Sequence, residues 1–72
     1  IYPNPTTNYL IIEWKEETIK NVEVFNLLGT LLKSYSGITE NRIEVHSLAQ
    51  GSYLLRVQNE SGEFEHITFL KQ

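Results

Sequence analysis

Apolar and polar residues alternate one for one along most of this chain, and no other feature constrains its fold as strongly. In Tyr9–Trp14, the residues Leu10, Ile12 and Trp14 alternate with Tyr9, Ile11 and Glu13. Val22 and Val24 flank Glu23 in Asn21–Phe25, and Ile43 and Val45 alternate with Arg42, Glu44 and His46 in Arg42–His46. Ser52–Gln58 sets Tyr53, Leu55 and Val57 against Leu54, Arg56 and Gln58. A period of two marks a strand buried on one face, because successive side chains leave a strand on opposite sides. Thr30–Tyr35 and Glu63–Lys71 read as weaker strands, the latter with apolar residues on both faces (Phe64, Ile67, Phe69, Leu70).

The breaks between these segments are just as regular. Pro3-Asn4-Pro5 excludes a helical start, since a proline pushes the residue before it to an extended conformation. Asn26-Leu27-Leu28-Gly29 separates two strands, with Gly29 suited to a turn position of positive φ. Gly37, Asn41, Gly51 and Asn59-Glu60-Ser61-Gly62 close the other segments. Turn signals at intervals of roughly eight to twelve residues are those of an all-β sandwich or barrel. Leu27–Lys33 is too short, and too interrupted by Gly29, to hold as a helix. The expected fold is therefore all-β: a small Ig-like antiparallel β-sandwich of about seven strands. Its expected core is Leu10, Ile12, Trp14, Val22, Val24, Ile43, Val45, Leu48, Tyr53, Leu55 and Val57.

With 72 residues the chain has room for one domain. Such a core rarely contributes more than about 3–5 kcal/mol, and with no cysteine no disulfide adds to it. The net charge is −3, all nine acidic residues are glutamate, and no basic cluster offers a footprint for nucleic acid. No apolar run is long enough for a transmembrane helix, so direct membrane insertion is not expected. The sequence contains no methionine and begins at Ile1, which reads as a single domain, residues 1–72, cut from a larger precursor.

Leu48-Ala49-Gln50-Gly51-Ser52-Tyr53 has the spacing of a tyrosine corner. In that motif a tyrosine hydroxyl bonds back to the main chain a few residues upstream and fixes a crossover between sheets. Gly51 lets the chain turn, Leu48 plugs the core, and Tyr53 reads as a structural residue, since buried tyrosines seek a partner for their hydroxyl.

No catalytic constellation emerges. There is no aspartate for a Ser-His-Asp triad and no strand-to-helix turn to present a nucleophile, and His46 and Ser47 leave a strand on opposite faces. Glu44 and His46 share a strand face, and Glu65-His66 could approach from another strand to give mixed nitrogen and oxygen ligands. Solvated histidines beside surface glutamates are the plainer reading, and no metal or cofactor is expected. Calcium loops need clustered Asp and Asn oxygens, which are absent. Glu13–Glu17 reads as a solvated edge or loop. Some of the aromatics could form a platform for sugar stacking, but Trp14 is in phase with Leu10 and Ile12 and so belongs to the core.

Taken in order, Ile1-Tyr2-Pro3-Asn4-Pro5, Leu10-Ile11-Ile12, Val22–Gly29, Leu48–Val57 and the closing Phe69-Leu70-Lys71-Gln72 span nearly the whole chain. The combination resembles the type A C-terminal sorting domain of type IX (Por) secretion cargo. The resemblance implies an Ig-like sandwich at the C-terminus of a secreted protein of a Gram-negative bacterium. It implies folding in the periplasm, recognition by the outer-membrane type IX translocon, and delivery of the cargo to the cell surface or medium. It also implies a sortase-like cysteine protease that cuts just upstream of the domain. The motif positions fall on Pro3, Asn4, Pro5, Gly29, Leu48, Gly51, Tyr53 and Lys71, and Phe69 and Leu70 join Lys71 as recognition candidates on an exposed terminal strand. Asn26 stands where aspartate is commoner, Ala49 where proline is frequent, and the tail has one lysine where two basic residues are often found. Two further readings compete: a stalk or adhesion module of fibronectin or carbohydrate-binding type, and a metal-dependent enzyme fragment built on His46, His66, Glu44 and Glu65.

Overall fold

The computed structural model describes residues 1–14, 18–38 and 40–72. Among them six strands form: β1 (Tyr9–Ile11), β2 (Ile19–Phe25), β3 (Leu31–Ser36), β4 (Arg42–Glu44), β5 (Gly51–Asn59) and β6 (Phe64–Lys71). There is no helix among these residues. β1 and β4 make a two-stranded sheet, and the other sheet runs in the order β3-β2-β5-β6, with every strand pair antiparallel. The two sheets enclose one core of Leu10, Ile12, Ile19, Val22, Val24, Ile43, Val45, Tyr53, Leu55, Val57 and Phe69.

The alternation in the sequence is the alternation of the sheets. Val22 and Val24 on β2 pair directly with Val57 and Leu55 on β5, and all four face inward. Burying such side chains contributes about 1.5–3 kcal/mol each. The β2–β3 turn closes on Asn26, whose Oδ1 accepts the Leu28 N–H (3.0 Å) and the Thr30 N–H (2.9 Å). Gly29 completes this turn at φ +87°, a backbone conformation that side chains with a Cβ rarely adopt. In the β5–β6 turn, Asn59 is wholly buried and satisfied by Glu63: its Oδ1 accepts the Glu63 N–H (2.9 Å) and its Nδ2 donates to Glu63 Oε1 (3.1 Å).

The structure corrects the expected strand set in three ways. Six strands form rather than about seven. β1 ends at Ile11 instead of Trp14, and β4 at Glu44 instead of His46, where a turn begins. Trp14 and Leu48 pack against the core while only partly buried. Of the solvated stretch expected at Glu13–Glu17, Glu13 is exposed, and residues 15–17 lie outside the described residues.

Two core residues escaped the strict alternation. Ile19 is out of phase with Val22 and Val24, but a register shift between Ile19 and Asn21 re-phases the strand and turns Ile19 inward. One extra residue at a bulge has that effect. Phe69 lies inward because β6, which carries apolar residues on both faces, pairs Phe69 with the core residue Tyr53. The two rings stack with centroids 5.5 Å apart.

The two sheets are bridged on both flanks of the sandwich, by different means. On one side the N-terminal segment reaches from sheet to sheet, bridging β1 at Tyr2–Ile11 and β6 at Thr6–Lys71. Pro3 and Pro5 have no N–H to donate, so this segment makes isolated bridges where a seventh strand could have formed a ladder. On the other side the Tyr35 hydroxyl of β3 donates to the Glu44 carbonyl of β4 at 2.5 Å. Burial first, and the nearby Glu44 charge second, hold the Tyr35 phenol above its ordinary pKa.

Candidate recognition site

Most of the residues singled out in the sequence meet around one place, the C-terminal end of β6. On one side of this strand, β5 pairs Gly51 with Lys71, Ser52 with Leu70 and Tyr53 with Phe69. On its other side lies the N-terminal segment. The Leu70 N–H donates to Asn4 Oδ1 (3.0 Å), the Thr6 N–H to the Leu70 carbonyl (2.9 Å), and the Gln72 N–H to the Thr6 carbonyl (2.7 Å). Thr6 is buried, and its hydroxyl donates to the Tyr9 carbonyl (2.5 Å). Asn4 sits between Pro3 and Pro5, whose peptide bonds to Tyr2 and Asn4 are both cis.

The corner has the geometry its spacing implies. Tyr53 is buried, and its hydroxyl donates to the Ala49 carbonyl at 2.5 Å, one residue beyond Leu48. Gly51 opens β5 at φ +147°, and Leu48 packs at the margin of the core, its N–H donating to the Val45 carbonyl (3.1 Å). Gly29 is the outlier: it lies at the same end of the sheet, since Phe25 pairs with Leu54, but on the β2–β3 turn two strands away. That turn presents Leu27 and Leu28 to solvent, Leu28 with 92% of its surface accessible.

At the terminal strand the structure departs from expectation. Phe69 and Lys71 do not stand on an exposed edge: they are 2% and 7% accessible. Lys71 shares the inward phase of Ile67 and Phe69, the Thr6 bridge lies along it, and its ammonium donates to the Gln72 carbonyl (3.3 Å). Its methylenes lie along apolar surface while the charged head reaches a polar partner, the usual compromise for a lysine in such a place. Only Leu70 of the three faces outward.

β6 is an edge strand, and the N-terminal segment occupies only the C-terminal end of its edge. Leu70 directs its N–H and C=O away from β5 to Asn4 and Thr6, and in an antiparallel pair every second residue does the same. Phe64, His66 and Thr68 therefore present their main-chain groups to the open side of the strand. The N-terminal segment, a non-helical start that carries the motif positions Pro3, Asn4 and Pro5, covers the edge from Leu70 onward. A polar residue such as Thr6 gave no sequence signal for that role.

The residues weighed as metal ligands do not converge. Glu44 lies on β4 in the small sheet and His46 in the turn after it, while Glu65 and His66 lie on β6 and point to opposite faces. Glu44 is engaged by Arg42, whose Nε donates to its Oε1 at 3.0 Å. Among the described residues no group of three His, Cys, Asp or Glu side chains comes together.

A two-layer antiparallel sandwich locked by a tyrosine corner, with its distinguishing residues gathered at the end of an edge strand, defines an Ig-like β module. The chain belongs to the secretion system C-terminal sorting domain family of type IX (Por) secretion, whose family model matches residues 1–69. The matched span takes in the N-terminal segment, Gly29 and the whole corner, and ends at Phe69, before Leu70 and Lys71. No curated protein and no solved structure matches the chain.

Proposed function

We propose that this domain is the folded address label that the outer-membrane type IX translocon reads on a cargo protein in the periplasm. The cargo is then delivered to the cell surface or medium, and a sortase-like cysteine protease cuts upstream of the label. In this reading the domain is a single unit of a larger precursor and performs no turnover itself. The supporting observation is the convergence of Pro3, Asn4, Pro5, Gly51, Tyr53 and Leu70 on the end of β6, next to a free edge. Unpaired N–H and C=O groups on such an edge accept an added strand from a partner, and the open stretch here runs from Phe64 to Thr68. The motif residues hold that strand in place, and the edge makes the contact. Lys71 acts as a support, not as an exposed charge.

The test is export of a periplasmically targeted reporter fused ahead of the domain, in a host with type IX machinery. Deleting β6 would expose the core, so the informative variants block only the edge. A proline is tolerated on an edge strand where its missing N–H faces outward. Thr68→Pro and His66→Pro should therefore leave the domain folded and strand the reporter in the periplasm. Export by folded edge-blocked domains at the unmodified level would refute edge recognition, and failure of the unmodified domain to export would refute the sorting role of this chain.

A further inference from the structure

The outer face of the four-stranded sheet is ordered in three cross-strand rows. Leu31, Phe25, Leu54 and Thr68 form the first, Ser34, Glu23, Arg56 and His66 the second, and Ser36, Asn21, Gln58 and Phe64 the third. Apolar character is concentrated in the first row. All of the third row, together with Ser34, Glu23 and Arg56 of the second, lines a cavity of about 350 Å³. This volume is at the lower end of the range of small-molecule sites.

The chemistry of that cavity is specific. Arg56 is ion-paired with Glu23 directly across the strand pair, and its guanidinium lies over the rings of Phe25 (5.7 Å) and Phe64 (5.2 Å). The floor therefore carries both signs of charge in balance, which offers no net attraction for a phosphate or other anion. Asn21 Nδ2 donates to Gln58 Oε1 at 3.1 Å, which fixes both amides. Asn21 Oδ1, the Gln58 amide protons and the Ser34 and Ser36 hydroxyls have no hydrogen-bond partner among the described residues. Each of these groups is a donor or acceptor held on a rigid sheet. Phe64 stands at one wall: the Arg56 guanidinium lies over one side of its ring, and with the residue 53% accessible the rest of the ring is open to a ligand.

We infer that this groove is a binding site for a neutral saccharide. A sugar ring carries what the groove complements: hydroxyls that both donate and accept, and an apolar C–H face that packs on an aromatic ring. Asn21, Gln58, Ser34 and Ser36 meet the hydroxyls, Phe64 packs on the ring, and the Glu23–Arg56 pair supplies one acceptor and one donor without net charge. The site lies apart from the motif residues at the far end of β6 and does not depend on the sorting role.

Titration of the 72-residue chain with glucose, galactose, mannose, rhamnose and N-acetylglucosamine and their disaccharides, followed by amide chemical shifts, tests the assignment. At least one of them should cause saturable shifts confined to the second and third rows. Phe64→Ala and Gln58→Ala, both on the surface and compatible with the fold, should each weaken that binding about tenfold, the loss of one well-made contact. Leu28→Ala, on the remote turn, should leave it unchanged. The assignment is overturned if no saccharide moves these signals, or if the folded Phe64→Ala and Gln58→Ala variants bind as well as the parent. It is equally overturned if the groove signals respond only to a protein of the secretion machinery. Export, which decides the sorting role, is not read by this titration.

Discussion

Asn4 accepts the main-chain N–H of Leu70 at 3.0 Å, joining two residues 66 positions apart in the sequence. Together with the Thr6 bridge, this contact turns the two ends of the domain into one structural feature. Sequence motifs that look independent are here neighbours across a single strand.

The first prediction follows from that contact. Asn4→Ala removes the acceptor for Leu70 and leaves an N–H to find water, at a cost of about 1 kcal/mol. Denaturant unfolding should show a lower midpoint with an unchanged slope. Amide exchange at Leu70 and Gln72 should rise more than at Leu55, and uniform acceleration across the domain would contradict a local clasp.

The corner supplies the second. Tyr53→Phe keeps the ring stacked on Phe69 and deletes only the bond to the Ala49 carbonyl. The expected loss is on the order of 1 kcal/mol, and more if the carbonyl stays dry. Thermal unfolding measures it. A variant as stable as the parent would mean that the hydroxyl contributes nothing to the crossover.

Alkaline pH probes Tyr35. Its pKa is raised in the folded state, so the unfolded chain gives up this proton first as pH increases. The contribution of Tyr35 is fully present below the unfolded phenol value of about 10 and is lost as pH rises through the higher folded value. Tyr35→Phe should cost stability at neutral pH because the bond to the Glu44 carbonyl is gone. The gap between variant and parent should narrow above pH of about 10. A constant gap across that range would show that the phenol does not couple to folding.

The β2–β3 turn gives the fourth. Gly29→Ala forces a Cβ into left-handed backbone, costing about 1–2 kcal/mol even though the space around it is open. Asn26→Ala removes the acceptor of two N–H groups and should cost a comparable amount. Thermal melts of both variants and of Leu28→Ala decide the matter. Leu28 is exposed, so its loss should leave stability nearly unchanged.

Much of the molecule was legible before any coordinates. Val22, Val24, Leu55 and Val57 declared their inward faces by alternation, and Leu48–Tyr53 declared a corner by spacing. Ile19 was missed because a bulge changes phase in mid-strand, and a bulge leaves no mark in a single sequence. Lys71 was read as an exposed charge because lysines rarely go inside, yet β6 places it in phase with Phe69 and under the N-terminal segment.

The local chain thus determined which residues share a face within an unbroken stretch of strand and where the turns fall, because side-chain alternation and the conformational limits of glycine, proline and asparagine act over a few residues. Tertiary structure alone decided that residues 2–6 bridge the two sheets, that Asn4 and Thr6 cover the C-terminal end of the β6 edge, and that the outer face is sorted into apolar, charged and amide rows. Each of these depends on which strand lies beside which and in what register. Pairing and register are set by the burial of the whole core at once, a non-local sum that no short stretch of sequence contains.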